Sequence, residues 1–392
     1  MSVWQPGFAR AWAREGRLWA RRPLDWAMFS VVPLLAVLLT WSLFWAGTPR
    51  GLAIGVLDAD HSAVTRQVTR WLAAAPGLRV VAHFDDEAAM RGAMRRGEVM
   101  ATVWLPEGFT RALKTGRGAR AALLHNAQFA THSGLIQRDV RSVLGTLSAG
   151  VELVAREKRG EAPLAAKASF EPMRTALVAQ YNTGLDYEPF LAATLVPALL
   201  HIFAMVAGAW GVGRELRDRT VGAWVSAGGT GWAALIAKWL APWAALVAVQ
   251  AAFVAGLTGV RGWHAAGPLW PVLGLHALML VLYIVLGSLA ALATRSLRTA
   301  LSAAGFVTAP AFAFAGVGFP LMAMPAGAKA WALALPLTHV LAMQTAVWQV
   351  GAPAARAAPV AAGLLLATAV SAWACTALLP RVAADARAWG RR

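Results

Sequence analysis

The sequence predicts an α-helical membrane protein with six transmembrane helices and an inserted extracytoplasmic α/β domain, and three observations carry that prediction. Hydrophobic residues make up 58% of the 392 and charged residues only 14%, and the mean hydropathy is +0.54, a composition typical of membrane proteins. Six apolar runs approach or exceed the roughly 20 residues that a helix needs to cross the hydrocarbon layer. One stretch, residues 49–188, breaks this pattern with 18 basic and 14 acidic side chains, so it is expected to fold in water.

In chain order, residues 1–25 are expected to form a cytoplasmic interfacial helix. At 100° per residue Trp4, Phe8, Trp12 and Trp19 fall within about 80° of each other, with Arg10, Arg14, Arg17 and Arg21 opposite, which suits a helix lying in a headgroup layer. The first span covers 26–46. Its basic flank resembles a signal peptide, but the run exceeds an h-region of ~7–15 residues and no A-x-A site follows, so a retained anchor is expected. The other five spans are expected at 190–212, 232–257, 269–293, 300–319 and 359–379, within a membrane domain of residues 190–380. Trp26, Trp45, Trp210, Trp232 and Trp270 flank apolar runs, as interfacial tryptophans do. A further apolar segment, 330–350, contains Pro336 and His339. It is read as part of an outer re-entrant element near 319–350, because a seventh span would place the Arg-rich tail, 381–392, outside. With six spans, 15 Lys and Arg lie in segments on the N-terminal side of the membrane and 3 in the short segments opposite, which predicts both termini in the cytoplasm.

Inside 49–188, the runs GLAIGVLD, LRVVAHF, VMATVWLP and AALLHNA read as buried strands. The intervening SAVTRQVTRWLAAAP, DEAAMRGAMRRG and EGFTRALKTGR read as helices, with Ser62 and Asp85 as N-caps. This β-α-β-α order predicts a largely parallel sheet, and a long helix over 131–158 leads back toward the membrane. By the topology above, the domain lies outside the cytoplasm.

The same residues exclude several functions. A net charge of +17 is scattered between apolar runs, so it does not form the single basic face that nucleic acid requires. Cys375 is the only cysteine, which rules out a disulfide or CxxC site within the chain. There is no GxxxxGK[ST], HExxH or GxSxG, and the spacing of His61, His83, His125 and His132 matches no metal pattern. No enzyme activity and no cofactor of its own are therefore expected. The spans carry no Asp or Glu at depth. His201 and His276, the candidate intramembrane polar residues, read with His339 as hydrogen-bonded packing residues rather than proton carriers. If the chain moves a substrate, the energy must come from another protein. From 190 to 381 the only carboxylates are Glu215 and Asp218, both in GRELRDRT. This charged loop, with Arg214, Arg217, Arg219 and Thr220 and with Trp224 behind it, is expected to dock onto a partner.

Several stretches resemble the permease subunits of type-2 ATP-binding cassette exporters, in the branch with a large domain after the first span. IGVLDADHSAVTRQVTRWLAAAPGLRV is similar to that branch's opening strand and helix with its D-x-D-x-S turn, here Asp58, Asp60 and Ser62. RRGEVMATVWLPEGFTRAL resembles its RRG-x-x-x-A-x-x-x-P-x-x-F segment. YNTGLDYEPFLAATLVPAL resembles its YNP lead into the second span, with Thr183 in place of Pro. GRELRDRTVGAWVSAGGTGWAALIAKWLAP is similar to its coupling loop R-E-x-x-x-G-T and following GK, with Thr220 and Val221 replacing Gly-Thr and Ala237 replacing the Gly before Lys238. GVGFPLMAMPAGAKAWALALPLTHVL resembles its outer GFxFPxxxMP…LPLTH element.

The likeness covers nearly the whole chain, and it is the order of the fragments that makes it specific. It implies an exporter permease in the bacterial inner membrane, paired with a second copy or a paralogue around a path lined by the second and fifth spans. A separate ATPase subunit would bind ATP and Mg, with Arg214, Glu215, Arg217, Asp218, Arg219, Thr220 and Trp224 forming its docking loop. Phe319, Pro320, Met324, Pro325, Pro336 and His339 would form the outer gate or re-entrant element. Membrane lipid is a further partner, and there is room for a periplasmic adaptor (membrane fusion) protein. An alternative reading is a membrane receptor or secretion accessory that binds a partner through its extracytoplasmic domain.

Overall fold

The computed structural model describes residues 4–115, 118–158, 160, 181–182, 184 and 186–390; Thr183, residues 161–180, Arg391 and Arg392 lie outside these. The chain forms two compact units. One is Thr48–Val178, and the other combines Met1–Gly47 with Ala179–Arg392.

The inserted unit carries a four-stranded sheet of order β2-β1-β3-β4, with β1 spanning Leu52–Asp58, β2 Leu78–Phe84, β3 Ala101–Leu105 and β4 Ala122–His125. Strand β1 pairs in parallel with β2 and β3, whereas β4 joins β3 antiparallel. The two inner strands are almost wholly buried, and their near-continuous apolar runs reflect burial on both faces. Edge strand β2 alternates between covered and exposed residues.

Ser62 starts the helix Ala63–Ala74 with a capping box to Thr65. The next helix, Glu87–Arg95, is capped by Asp86 and not by the expected Asp85. Asp86 has the extended backbone a cap requires, and its Oδ1 accepts from Ala89 N at 2.7 Å. The D-x-D-x-S turn is a staple. Asp58 Oδ1 accepts from the amides of Asp60 and His61. Asp60 Oδ2 accepts from Thr110 N, and Ser62 Oγ meets Thr110 Oγ1 at 2.6 Å, tying the end of β1 to the start of the helix Phe109–Lys114 that follows β3.

Among its described residues the second unit contains six helices long and apolar enough to cross a membrane: Pro23–Phe44, Glu188–Arg217, Gly231–Val260, Leu269–Thr294, Leu297–Phe314 and Ala354–Ala384, referred to below as spans 1 to 6. Spans 2 and 4 form the centre. Lipid supplies no hydrophobic drive between helices, so close approach depends on small residues. A Cβ on Gly208 would lie 1.8 Å from Ile284 O, and one on Gly287 would lie 2.0 Å from Met205 O, so the two backbones are in contact. Ser288 reinforces the crossing by donating to Gly208 O and Ile284 O, and it accepts from Trp239 Nε1 of span 3 at 2.9 Å. Spans 1 and 6 lie at the edge, with Leu35, Leu39, Leu366 and Trp373 exposed as a lipid-facing surface would be.

Span 5 begins at Leu297, capped by Ser296, and ends at Phe314, earlier than the expected 319, because Pro310 interrupts the helix and Gly316 turns the chain with φ +82°. The element after it consists of two helical pieces, Ala326–Ala334 and Pro336–Gln349, bent by 81°. The bend falls where Leu335 is held extended before Pro336.

These contacts predict a contrast on a single helix pair. Gly287→Ala should destabilise the solubilised protein by about 1–3 kcal/mol through overpacking, whereas Gly211→Ala, with no atom within 4 Å of its added Cβ, should leave thermal unfolding unchanged. Equal melting temperatures for the two variants would contradict the crossing.

Candidate functional site

The octet Gly213–Thr220 begins inside a span rather than in a loop. Arg214, Glu215 and Arg217 form the last turn of span 2, which ends with Asp218 as C-cap. Thr220 N donates to Glu215 O at 2.9 Å and Arg219 N to Leu216 O at 3.3 Å, the two bonds of a Schellman motif. The left-handed residue is Arg219, φ +59°, a position glycine normally takes. Counted from Arg214, the Gly of R-E-x-x-x-G-T falls on Arg219 and its Thr on Thr220, so the departure expected at Thr220 and Val221 is instead Arg219 for Gly, and Thr220, φ −107°, keeps the motif's residue. A short helix, Val221–Gly228, follows, with Val221, Trp224 and Gly228 buried.

The octet's Arg214 and Glu215 point into the chain and not to its surface. Glu215, expected to face a partner, is 1% exposed and Arg214 is 4% exposed. Arg14 of the N-terminal helix, Trp4–Arg21, donates through Nη1 and Nη2 to the two oxygens of Glu215 at 2.8 and 2.7 Å, a bidentate pair. Lys238 of span 3 donates to Glu215 Oε1 and to Glu15 Oε1, both at 2.8 Å. Arg214 reaches Asp25 Oδ2 at 2.7 Å and Glu15 Oε2 at 3.4 Å. The Thr220 hydroxyl also donates to Glu215, and the Trp224 ring sits 4.9 Å from Lys238 Nζ. Three cations and three carboxylates thus close a neutral buried cluster that joins the N-terminal helix to the ends of spans 1, 2 and 3. Burial alone would lower the Arg14 guanidinium, but the Glu215 carboxylate outweighs this and raises it above its ordinary value. Trp210, whose buried indole N–H has no protein acceptor among the described residues, lines a cavity of about 20 Å³ with Glu15, Arg214 and Lys238.

The N-terminal helix is amphipathic as expected, but the residues between its aromatic and basic faces decide its position. Gly7, Ala11 and Glu15, four apart, are buried. Gly7 comes so close to Gly228 that a Cβ would lie 2.3 Å from Gly228 O. Arg14, read as part of the solvent-facing stripe, turns inward with them. Phe8, Trp12, Trp19 and Trp26 form a chain of ring contacts at 5.6–6.1 Å along one side.

At the rim the charges are more open. Arg22 meets Asp218 at 2.8 Å with both side chains partly exposed. The hydrogen bond from Arg217 holds the Asp218 carboxyl below its ordinary value, Arg22 assists, and partial burial opposes. Arg219, Gly222, Ala223 and Ser226 are exposed.

The other expected residues lie apart from this cluster. His201 is buried, its ring edge-on to Tyr283 at 4.8 Å, and neither nitrogen has a partner among the described residues. His276 Nε2 bonds Gln344 Oε1 at 2.9 Å, and Gln344 Nε2 donates to Ala193 O at 2.8 Å, which ties the bent element to spans 2 and 4. His339 Nε2 bonds Leu333 O across the 81° bend. Phe319, Pro320 and Pro325 are exposed, and Met324 and Pro336 are half-buried.

A second charged site escaped sequence reading. Glu188, assigned to the inserted domain, opens span 2 and is 1% exposed. It accepts from Arg261 Nε at 3.0 and 2.9 Å and from Trp41 Nε1 at 2.5 Å, while Arg261 lies over the Trp45 ring and donates to Trp45 O. The ends of spans 1, 2 and 3 remote from the first cluster are thereby joined as well.

Across residues 25–378 the chain matches the family model described as ABC-2 family transporter protein. The chain belongs to that family. It is thus a multi-pass permease component of an ABC transporter, in a family whose members normally work with an ABC ATPase. Comparison with curated proteins and with solved structures returns no match.

Glu215→Gln should cost the permease about 3–5 kcal/mol, because it leaves buried cations without their anion, whereas Asp218→Asn at the exposed rim should cost about 0–1 kcal/mol. Thermal unfolding of the solubilised protein measures both, and equal effects would show that the buried cluster is not a structural clasp.

Proposed function

We propose that this permease is the membrane half of an exporter in the bacterial inner membrane, driven by ATP and Mg bound on a separate ATPase subunit and paired with a second copy or paralogue. The buried charge cluster carries this reading. It joins the N-terminal helix, the short helix Val221–Gly228 and the ends of spans 1 to 3, so that a push on any one of them moves the others. The exposed residues Gly222, Ala223 and Ser226 are small, which suits a short helix seated closely in a partner's groove. Docking is assigned to that exposed face with Arg219, and transmission to Arg214, Glu215 and Trp224 behind it.

The excess of Lys and Arg on one side supports cytoplasmic termini, a cytoplasmic position for the cluster and an outer position for Thr48–Val178. The outward direction of transport rests on the resemblance to exporters. The bent element at 326–349 is assigned to the outer side, as a gate.

Two experiments test the reading. The chain co-purified with its ATPase should hydrolyse ATP and the chain alone should not. Ala223→Arg should lower ATPase recovery at least tenfold without shifting thermal unfolding. Hydrolysis by the chain alone, or unchanged recovery, would refute it. For orientation, Arg66→Cys on a Cys375→Ala background should react with an impermeant maleimide in intact cells and Ser226→Cys only after permeabilisation; the reverse pattern would invert the topology.

A further inference from the structure

The long helix Ala130–Lys158 is 29 residues, about 43 Å at 1.5 Å per residue, far longer than the strands it follows. Its first half provides Leu135, Ile136 and Val140 to the core of the inserted unit. Its second half instead walls a cavity of about 670 Å³, facing the helices Ala63–Ala74 and Phe109–Lys114. The apolar lining includes Val64, Trp71, Leu113, Leu147, Val151 and Val154. Among the described residues, the only charged ones lining it are Lys114 and Lys158, and both are exposed. Neither has an acidic partner among the described residues. Only five of the chain's 36 basic residues are lysines, and two of them are here. Trp71 and Thr146 also line an adjoining depression of about 380 Å³, where the one carboxylate, Asp139, is held by Arg138 at 2.9 Å.

We infer that this groove binds an anionic amphiphile, a molecule with an acyl chain and one negatively charged head, such as a long-chain fatty acid or a lysophospholipid. The size falls in the range of small-molecule sites. An acyl chain demands no hydrogen bonds, whereas a peptide would bring amides and carbonyls that need partners. The lining provides few: the Thr110 hydroxyl is engaged by Ser62 and the Thr146 hydroxyl by Ser142 O. Lysine is a flexible point charge with an apolar stem that can lie along such a wall and place its ammonium at the mouth, without the fixed fork of arginine. The site is a property of the inserted unit and does not depend on the transport reading.

The test uses the full chain in phosphatidylcholine nanodiscs with diazirine-labelled palmitate as the probe, and crosslinked peptides mapped by mass spectrometry. Labelling should fall on 63–74, 109–114 and 146–158, and palmitate or palmitoyl lysophosphatidate should displace the probe at least tenfold more effectively than hexadecanol. Gly150→Trp, which fills the groove from an exposed position with no neighbour within 4 Å of an added Cβ, should reduce labelling at least tenfold. Lys114→Glu with Lys158→Glu should do the same, and neither variant should shift thermal unfolding. Labelling confined to the spans, labelling unchanged by Gly150→Trp, or equal displacement by hexadecanol would overturn the proposal. No ATPase is present, so failure here leaves the transport reading untouched.

Discussion

Glu215 accepts hydrogen bonds from three other segments of the chain, and the placement of the helices at one end of the membrane unit depends on it. Arg14, Lys238 and Thr220 all donate to this one carboxylate. A buried ion cluster is a poor source of net stability, because desolvation offsets most of the attraction. It is effective at excluding alternatives, since any other register of the N-terminal helix would strand a charge in a dry site. Apolar side chains cannot do this in a bilayer, where lipid tails compete equally for them. The cluster is best understood as a device that selects one arrangement.

The spans are joined by different physics at different depths. Where spans 2 and 4 cross, contact is backbone on backbone through Gly208 and Gly287, with Ser288 linking them to span 3. Away from that crossing, Gln344 ties the bent element to spans 2 and 4, and Glu188 with Arg261 joins spans 1, 2 and 3 at the ends where the inserted domain enters and leaves the chain. Spans 1 to 3 are therefore clasped by charge at both ends, while span 5 and the bent element carry no such clasp among the described residues. That asymmetry sets a part of the unit braced by charge against one held by close packing and by the Gln344 hydrogen bonds.

Much of the fold was legible because hydropathy and strand periodicity are local signals. The six apolar runs, the four strands and the long helix coincide with what the structure shows to within a few residues, and the shortfalls have local causes, such as the turn at Gly316 just after span 5 ends. The charge cluster was not legible, because it pairs residues about 200 positions apart. A helical wheel separates apolar from charged residues, and the critical face of the N-terminal helix is neither. Two signals could have found it: the small residues Gly7 and Ala11 leading at a spacing of four to Glu15, the one acidic residue of a basic helix, and Asp25 directly before an apolar run. Glu188 was missed because a carboxylate beside a span is assigned to water by default. Its partner Arg261 was legible only as one of the three basic residues in the short segments opposite the N-terminal side.

The inward turn of the carboxylates reverses what the octet presents. With Glu215 consumed inside and Asp218 held by Arg217 and Arg22, the exposed surface consists of Arg219 and a small-residue face, beside the exposed Arg10, Arg17 and Arg21 of the N-terminal helix. A partner docking there meets positive charge and a close-fitting helix, so on the proposed reading its groove should be acidic and narrow. Arg219 adopts its left-handed backbone at a cost of about 1–2 kcal/mol relative to the ordinary conformation. A glycine there would relieve the strain but would remove the one exposed cation at the turn. The Arg219 guanidinium lies close against Gly390, where an added Cβ would be 2.7 Å from Nε, so the strained residue also ties the turn to the C-terminal segment of the same unit.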